Sequence, residues 1–256
     1  MLQSKGNAEP KRTLLFGRAG DDRMPTRQNP LPIIHLWRIP LDACSAPPEG
    51  WECVLTPEEQ ARAARFRFAA DRARWVRTRS VVRVLLGHYA HCPPSAVPLS
   101  VGAYGKPALP PGFRPVPLHF NWSHAEDMAL LALTESGPVG VDVERIRLDF
   151  DPLPLASGVF SPGEMACLRN APPDRHHALF FAFWTAKEAI LKALGVGLSM
   201  PPAGFCVADL ARRGHACAQG VWVRSLPVGD HHTAALACAH KDPQICWHDW
   251  HDPCIL

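Results

Sequence analysis

Val139-Gly140-Val141-Asp142-Val143-Glu144 alternates between valine and a small or acidic residue over its whole length. In an extended strand successive side chains point to opposite faces, so the three valines share one face and Asp142 and Glu144 share the other. Two carboxylates on one face repel each other, and a divalent cation with oxygen ligands relieves that repulsion. Mg²⁺ in particular takes one or two carboxylates together with substrate phosphates. A half-buried strand with a solvated acidic face has the same pattern, so the hexapeptide fixes a strand and leaves its chemistry open.

Working outward, residues 118–123 and 128–134 are hydrophobic strands, and Ser136-Gly137-Pro138 is a turn into the acidic strand. Further upstream, 33–39 alternates like a first strand. Thr56-Pro57-Glu58-Glu59 combines an N-cap, a proline at the first helical position and a glutamate three residues after the cap. It predicts a helix running to about residue 67, with a second from about 71 to 87 or 90, before Pro93-Pro94. Downstream, 145–158 reads as a linker, and Ser161-Pro162-Gly163-Glu164 opens a helix by the same capping logic. A long helix covers 178–194, stopped by Gly195 and Gly197. Strand-like pieces follow at 205–210, 221–226 and 233–239. The order of elements therefore runs twice, which predicts an α+β protein of two similar subdomains, 31–136 and 137–256. The polar, aperiodic 1–30 segment ahead of them reads as a disordered tail or as an extension upstream of a start at Met24.

The composition, 47% hydrophobic and 20% charged over 256 residues, suits a globular protein with a sizeable core. The sequence has no apolar run of about 18 residues and no signal-peptide pattern, which predicts no membrane span and a cytoplasmic location. Nine cysteines, scattered and never in a C-x-x-C pair, indicate reduced thiols. Arg62, Arg65, Arg67, Arg72, Arg74, Arg77, Arg79 and Arg83 crowd one stretch that can face an anion. The chain carries no recognisable nucleic-acid module, so nucleic acid is not an expected partner. Cys246, His248, His251 and Cys254 have a loosely zinc-like spacing with no partner motif.

Two further segments carry chemistry. On the long helix Trp184, Glu188 and Lys192 are four residues apart and form one stripe, with Lys187 beside it. A solvated Glu–Lys pair has this spacing too, but a tryptophan in the stripe argues for a packed face. Phe120-Asn121-Trp122-Ser123-His124 ends a strand with a hydroxyl and an imidazole at a loop mouth, groups that can meet a phosphate. Neighbouring residues of a strand point apart, so Ser123 and His124 are badly placed as nucleophile and base.

Together, G-K-P (Gly105, Lys106, Pro107), F-N-x-S-H (Phe120 to His124), G-V-D-x-E (Gly140 to Glu144) and W-x-x-K-E-A-x-x-K (Trp184 to Lys192) resemble the Sfp-type 4′-phosphopantetheinyl transferases over residues 33–240. The resemblance implies a pseudo-dimer of the two subdomains with the active site in the cleft between them. It implies Mg²⁺ on Asp142, Glu144 and Glu188, with Glu188 also the general base and Lys192 a catalytic cation. Arg62, Arg74, Lys106, Ser123, His124, Lys187 and Lys192 would contact coenzyme A, with Arg74, His124 and Arg62 on its 3′-phosphate. The implied reaction is Mg²⁺-dependent transfer of 4′-phosphopantetheine from coenzyme A to a serine of an apo acyl- or peptidyl-carrier protein, releasing adenosine 3′,5′-bisphosphate. A monomer is the expected state.

Overall fold

The two predicted capping boxes are both formed. Thr56 Oγ1 accepts from the Glu59 N–H (3.3 Å) while Glu59 Oε2 accepts from the Thr56 N–H (3.0 Å), and Pro57 sits at the start of the helix. Ser161 and Glu164 repeat the arrangement, with Pro162 as the first helical residue. The structure, a computed structural model, describes residues 31–41 and 50–251. The tail expected at 1–30 lies outside the described residues.

In chain order the elements are β1 (Ile33–Pro40), α1 (Pro57–Ala63), α2 (Ala69–Ala90), β2 (Ser100–Val101), β3 (Pro107–Ala108), β4 (His119–Ala125), β5 (Met128–Thr134) and β6 (Val139–Arg145). They continue with α3 (Pro152–Val159), α4 (Pro162–Asn170), α5 (His176–Leu194), α6 (Leu210–Arg213), β7 (His215–Ala218), β8 (Val221–Leu226), β9 (His232–Cys238) and β10 (Gln244–Asp249). One four-stranded sheet has the order β10-β1-β5-β4, another β6-β9-β8-β7, and β2 pairs with β3. The mixed α+β class is as the sequence predicts. In the first sheet β1 is antiparallel to β5 and β5 to β4; in the second β6 is antiparallel to β9 and β9 to β8.

Burial follows the alternation. Val139, Val141 and Val143 pack against Ile34, Leu36, Leu130 and Ala132, so the two sheets share one apolar interior. On its other face the first sheet meets Val81, Val82, Leu85 and Leu86 of α2. The second sheet meets Ala186, Ala189, Ile190 and Ala193 of α5. The polar face of β6 is thereby turned towards α5.

Four local expectations are corrected. The segment read as a linker contains α3, started by Pro152 with Asp151 Oδ1 accepting from the Leu153 N–H (3.0 Å). Residues 205–210 form no strand; they lead into the short α6, and β7 takes the edge instead. The helix expected to reach residue 67 ends at Ala63. The last strand, β10, which the 137–256 division puts with the second half, pairs parallel with β1 of the first sheet. There Arg38 meets Asp249 (3.1 Å), His35 bonds His248 (3.0 Å) and Trp37 stacks on His248. His248 thus has partners that are not metal ligands in arrangement, and Cys254 lies outside the described residues. Among the described residues no group of three or more His, Cys, Asp or Glu side chains is placed to hold a metal ion.

Candidate active site

Asp142 projects from β6 into the contact between β6, β4 and α5 and is 2% exposed. Its Oδ1 accepts hydrogen bonds from Ser123 Oγ (2.7 Å) and Lys192 Nζ (2.5 Å), and Lys192 Nζ also reaches Ser123 Oγ (3.1 Å). Strand β4, the first sheet's edge, and helix α5 thus deliver a hydroxyl and an ammonium to one carboxylate oxygen. The other oxygen, Oδ2, is buried and has no hydrogen-bond partner. Burial raises the Asp142 carboxyl above the usual carboxylate range, with Lys192 and Ser123 pulling against it.

Glu144, two residues on and on the same face, accepts from Trp184 Nε1 at 3.3 Å, which explains the tryptophan in the helical stripe. Burial raises its pKa, and Asp142 adds to the shift. Glu188, one helical turn before Lys192, is raised by burial as well, with Lys192 opposing and Asp142 adding. Burial raises all three acids, and the Asp142 charge raises Glu144 and Glu188 further. Their charges sum to −3 against the +1 of Lys192, and one buried oxygen lacks a partner. In charge and donor chemistry these residues fit a divalent cation of the Mg²⁺ kind, which needs only one or two protein carboxylates beside phosphate and water. They do not form a closed protein cage.

Close packing of α5 on β6 makes the cluster possible. A Cβ on Gly140 would lie 2.1 Å from the Ala189 carbonyl oxygen and 2.4 Å from the Ala193 nitrogen, so only glycine permits the approach that sets Lys192 against Asp142. Asn121, which the sequence reading passed over, secures the other side: its Oδ1 accepts from the Val141 N–H at 2.8 Å, joining β4 to the free edge of β6. Period-two alternation holds the signal, because Asn121 lies on the same face of β4 as Ser123.

The family model for the 4′-phosphopantetheinyl transferase superfamily matches residues 138–249, and the 4′-phosphopantetheinyl transferase N-terminal model matches residues 48–136. A 4′-phosphopantetheinyl transferase, HetI, of Nostoc is 38% identical over 166 residues, 65% of this chain and 70% of that protein. The chain belongs to the 4′-phosphopantetheinyl transferase superfamily. A 4′-phosphopantetheinyl transferase of Bacillus subtilis is 27% identical over 74% of this chain and 84% of its own length. The transferase AcpT of Escherichia coli is 40% identical over 48% of this chain and 58% of its own length.

The remaining expected residues of this transferase fall into two groups. His124 is exposed on the face of β4 shared with Phe120 and Trp122. Partial desolvation, helped by Lys192 and opposed by Asp142, lowers its pKa. Arg62 is exposed and lies over the Trp75 ring at 5.5 Å, while Arg74 makes a solvent-exposed contact with Asp71 at 3.4 Å. Both guanidiniums keep donors for an anion. Trp75 is therefore a platform for Arg62.

Lys187 and Lys106 are placed otherwise than expected. Lys187 points away from the Glu188–Lys192 stripe and is completely buried, its Nζ bonded to Glu164 Oε2 (2.9 Å), the Pro202 carbonyl (2.7 Å) and the Phe205 carbonyl (2.6 Å). All three donors are used, so its role is to hold α5, α4 and the 202–205 segment together. Glu164 reciprocates by accepting from the Ser161 N–H (2.8 Å) and the Val207 N–H (2.6 Å). Five residues separate a fully buried lysine from one that is part-exposed beside Asp142, a distinction the K-E-A-x-x-K spacing does not carry. Lys106 Nζ bonds the carbonyls of Val139 (3.0 Å) and Ala193 (3.2 Å), while the residue also borders a cavity lined by Pro107 to Pro111, His119 and Phe120.

Proposed function

We propose that this transferase moves 4′-phosphopantetheine from coenzyme A to a serine of an apo acyl- or peptidyl-carrier protein and releases adenosine 3′,5′-bisphosphate. The observation that carries the proposal is the Asp142–Lys192–Ser123 cluster with Glu144 and Glu188 beside it, in a chain of this superfamily. Asp142, Glu144 and Glu188 are not placed as a three-ligand site by themselves and would hold Mg²⁺ only together with phosphate and water; when bound, the ion supplies Lewis-acid neutralisation of the pyrophosphate. The pseudo-dimer is part of the reading: the repeated strand–helix–hairpin order supports two related subdomains with coenzyme A along the β4–β6 junction. A monomer is proposed, in the cytoplasm, where the unpaired Cys53, Cys92, Cys167, Cys206, Cys217, Cys238 and Cys246 would stay reduced.

The chain's own residues divide the work. The Lys192 side chain, 29% exposed, can turn its ammonium from Asp142 to the anionic oxygens of the pyrophosphate, with Ser123 donating beside it. Arg62, Arg74 and His124 would receive the 3′-phosphate. Glu188 takes the proton of the carrier serine, and its raised pKa gives it more basicity than an ordinary carboxylate. The serine oxygen bonds to the β-phosphorus as the bond from that phosphorus to the bridging oxygen of the leaving nucleotide breaks.

The test is to incubate the protein with coenzyme A, Mg²⁺ and a panel of apo carriers and to weigh each carrier. A mass increase of one phosphopantetheine, mapped to a serine by fragmentation, supports the reading; unmodified carriers throughout would overturn it.

A further inference from the structure

β6 is an edge strand of its sheet, so the backbone groups on the side away from β9 need partners from elsewhere. Asn121 supplies one, and Lys106 supplies another. The same ammonium also serves Ala193, one of the last carbonyls of α5, whose helical partners have run out where Gly195 (φ 69°) turns the chain. A cation suits this place, because the C-terminal end of a helix carries partial negative charge. The lysine is held from behind. Gly105 adopts φ 84°, the Gly102 N–H donates to the Lys106 carbonyl (2.9 Å), and the Lys106 stem lies against Gly195.

The two carbonyls occupy telling positions. Val139 is three residues before Asp142 and Ala193 is one residue after Lys192, and the close approach at Gly140 lies between them. We propose that Lys106 is a positioning residue: from the turn before β3 it pins the C-terminal end of α5 to the start of β6 and so sets the Lys192–Asp142 pair. The G-K-P motif then reads as a turn glycine, a clamp and the first residue of β3, and its lysine side chain acts through Lys192, not on the nucleotide. Desolvation of this ammonium, which pushes it down to about 8, agrees with a group committed to the protein interior.

The inference rests on the transferase reading for its effect on turnover, but its structural part can be measured without activity. Lys106→Met and Lys106→Arg are compared with the unmodified chain in three assays: coenzyme A affinity by calorimetry, kcat with an apo carrier, and amide hydrogen exchange across 191–197. A clamp predicts for Lys106→Met a kcat lowered about 10- to 100-fold, as a misplaced cation would give. Coenzyme A affinity should stay within about twofold, and amides at the end of α5 should exchange about tenfold faster. Arginine, which can also donate to two carbonyls, should restore part of the kcat and most of the protection. Should Lys106→Met not fold, Lys106→Gln is read in the same assays.

A coenzyme A affinity weakened tenfold or more with kcat and exchange unchanged would make Lys106 a nucleotide contact and overturn the clamp, as would no change in any assay. Transfer undetectable even in the unmodified chain would count against the transferase reading, while the exchange data would still decide for or against the clamp.

Discussion

Lys192 Nζ sits 2.5 Å from Asp142 Oδ1, and the second oxygen of the same carboxylate is buried without a partner. One oxygen of Asp142 therefore meets the protein's own cation and hydroxyl, and the other meets neither. This division makes Asp142→Asn the informative substitution. It keeps the shape and an acceptor for Ser123 while removing the charge. Transfer should fall about 100-fold or more, with thermal stability changed by no more than about 1 kcal/mol. Asp142→Ala, by contrast, strips Lys192 and Ser123 of their acceptor and should also lower stability, by roughly 1–3 kcal/mol. Full activity in Asp142→Asn would remove the residue from the site.

Glu188→Gln should separate function from stability in opposite directions. The Glu188 pKa is raised on folding, by burial first and by Asp142 second. The folded state therefore favours the protonated acid, and the cost of its charge grows as pH rises through the folded pKa and is absent below the unfolded one. Glutamine avoids that cost. Without metal, the variant should melt a few degrees higher near pH 7, corresponding to ~1 kcal/mol at about 2–4 °C per kcal/mol for a chain of this size. The gain should vanish below about pH 4. Its transfer activity should be lost at every pH. Melting curves across pH check the sign, and a variant less stable at pH 7 would show that Glu188 is not under electrostatic strain.

The acidic strand, both capping boxes and the helical stripe were legible because each rests on a short-range period: two for a strand, 3.6 for a helix, three for a cap. Those periods put Asp142 and Glu144 on one face of β6 and Glu188 and Lys192 on one face of α5. What stayed hidden depends on contacts between distant segments. Lys187 and Lys192 look alike in sequence, and only the packing of α4 and the 202–205 segment sends one inward. Nothing local in 244–249 says that it pairs with β1 across more than two hundred residues. Helix α3 starts at Pro152 inside the segment that reads as a linker, since proline in a first turn costs a helix little.

Gly140→Ala should be the most damaging single methyl group on β6. Its Cβ would meet backbone atoms of α5 at 2.1 and 2.4 Å, and helix backbone cannot swing aside as a side chain can. Overpacking costs typically 1–3 kcal/mol, and a backbone clash this close should reach about 3 kcal/mol or more. Chemical denaturation measures it; a variant as stable as the parent would mean that α5 does not approach β6 as described.

Lys187→Ala should lower stability by about 3–5 kcal/mol, because it leaves Glu164 buried without its counter-charge. Wherever the variant remains folded, its coenzyme A affinity should match the parent. Calorimetry at low temperature tests this, and an affinity loss in folded protein would return Lys187 to the binding site.

Asp142, Glu144, Glu188 and Lys192 are proposed to form one Mg²⁺-dependent transfer site. Its most direct measurement is the initial rate at which an apo carrier gains the mass of one phosphopantetheine from coenzyme A, followed against free Mg²⁺ for the parent chain and for Glu188→Gln. The rate should rise with Mg²⁺ to saturation, disappear with a chelator and be absent in Glu188→Gln. Modification that proceeds equally with chelator present, or at the parent rate in Glu188→Gln, would contradict it.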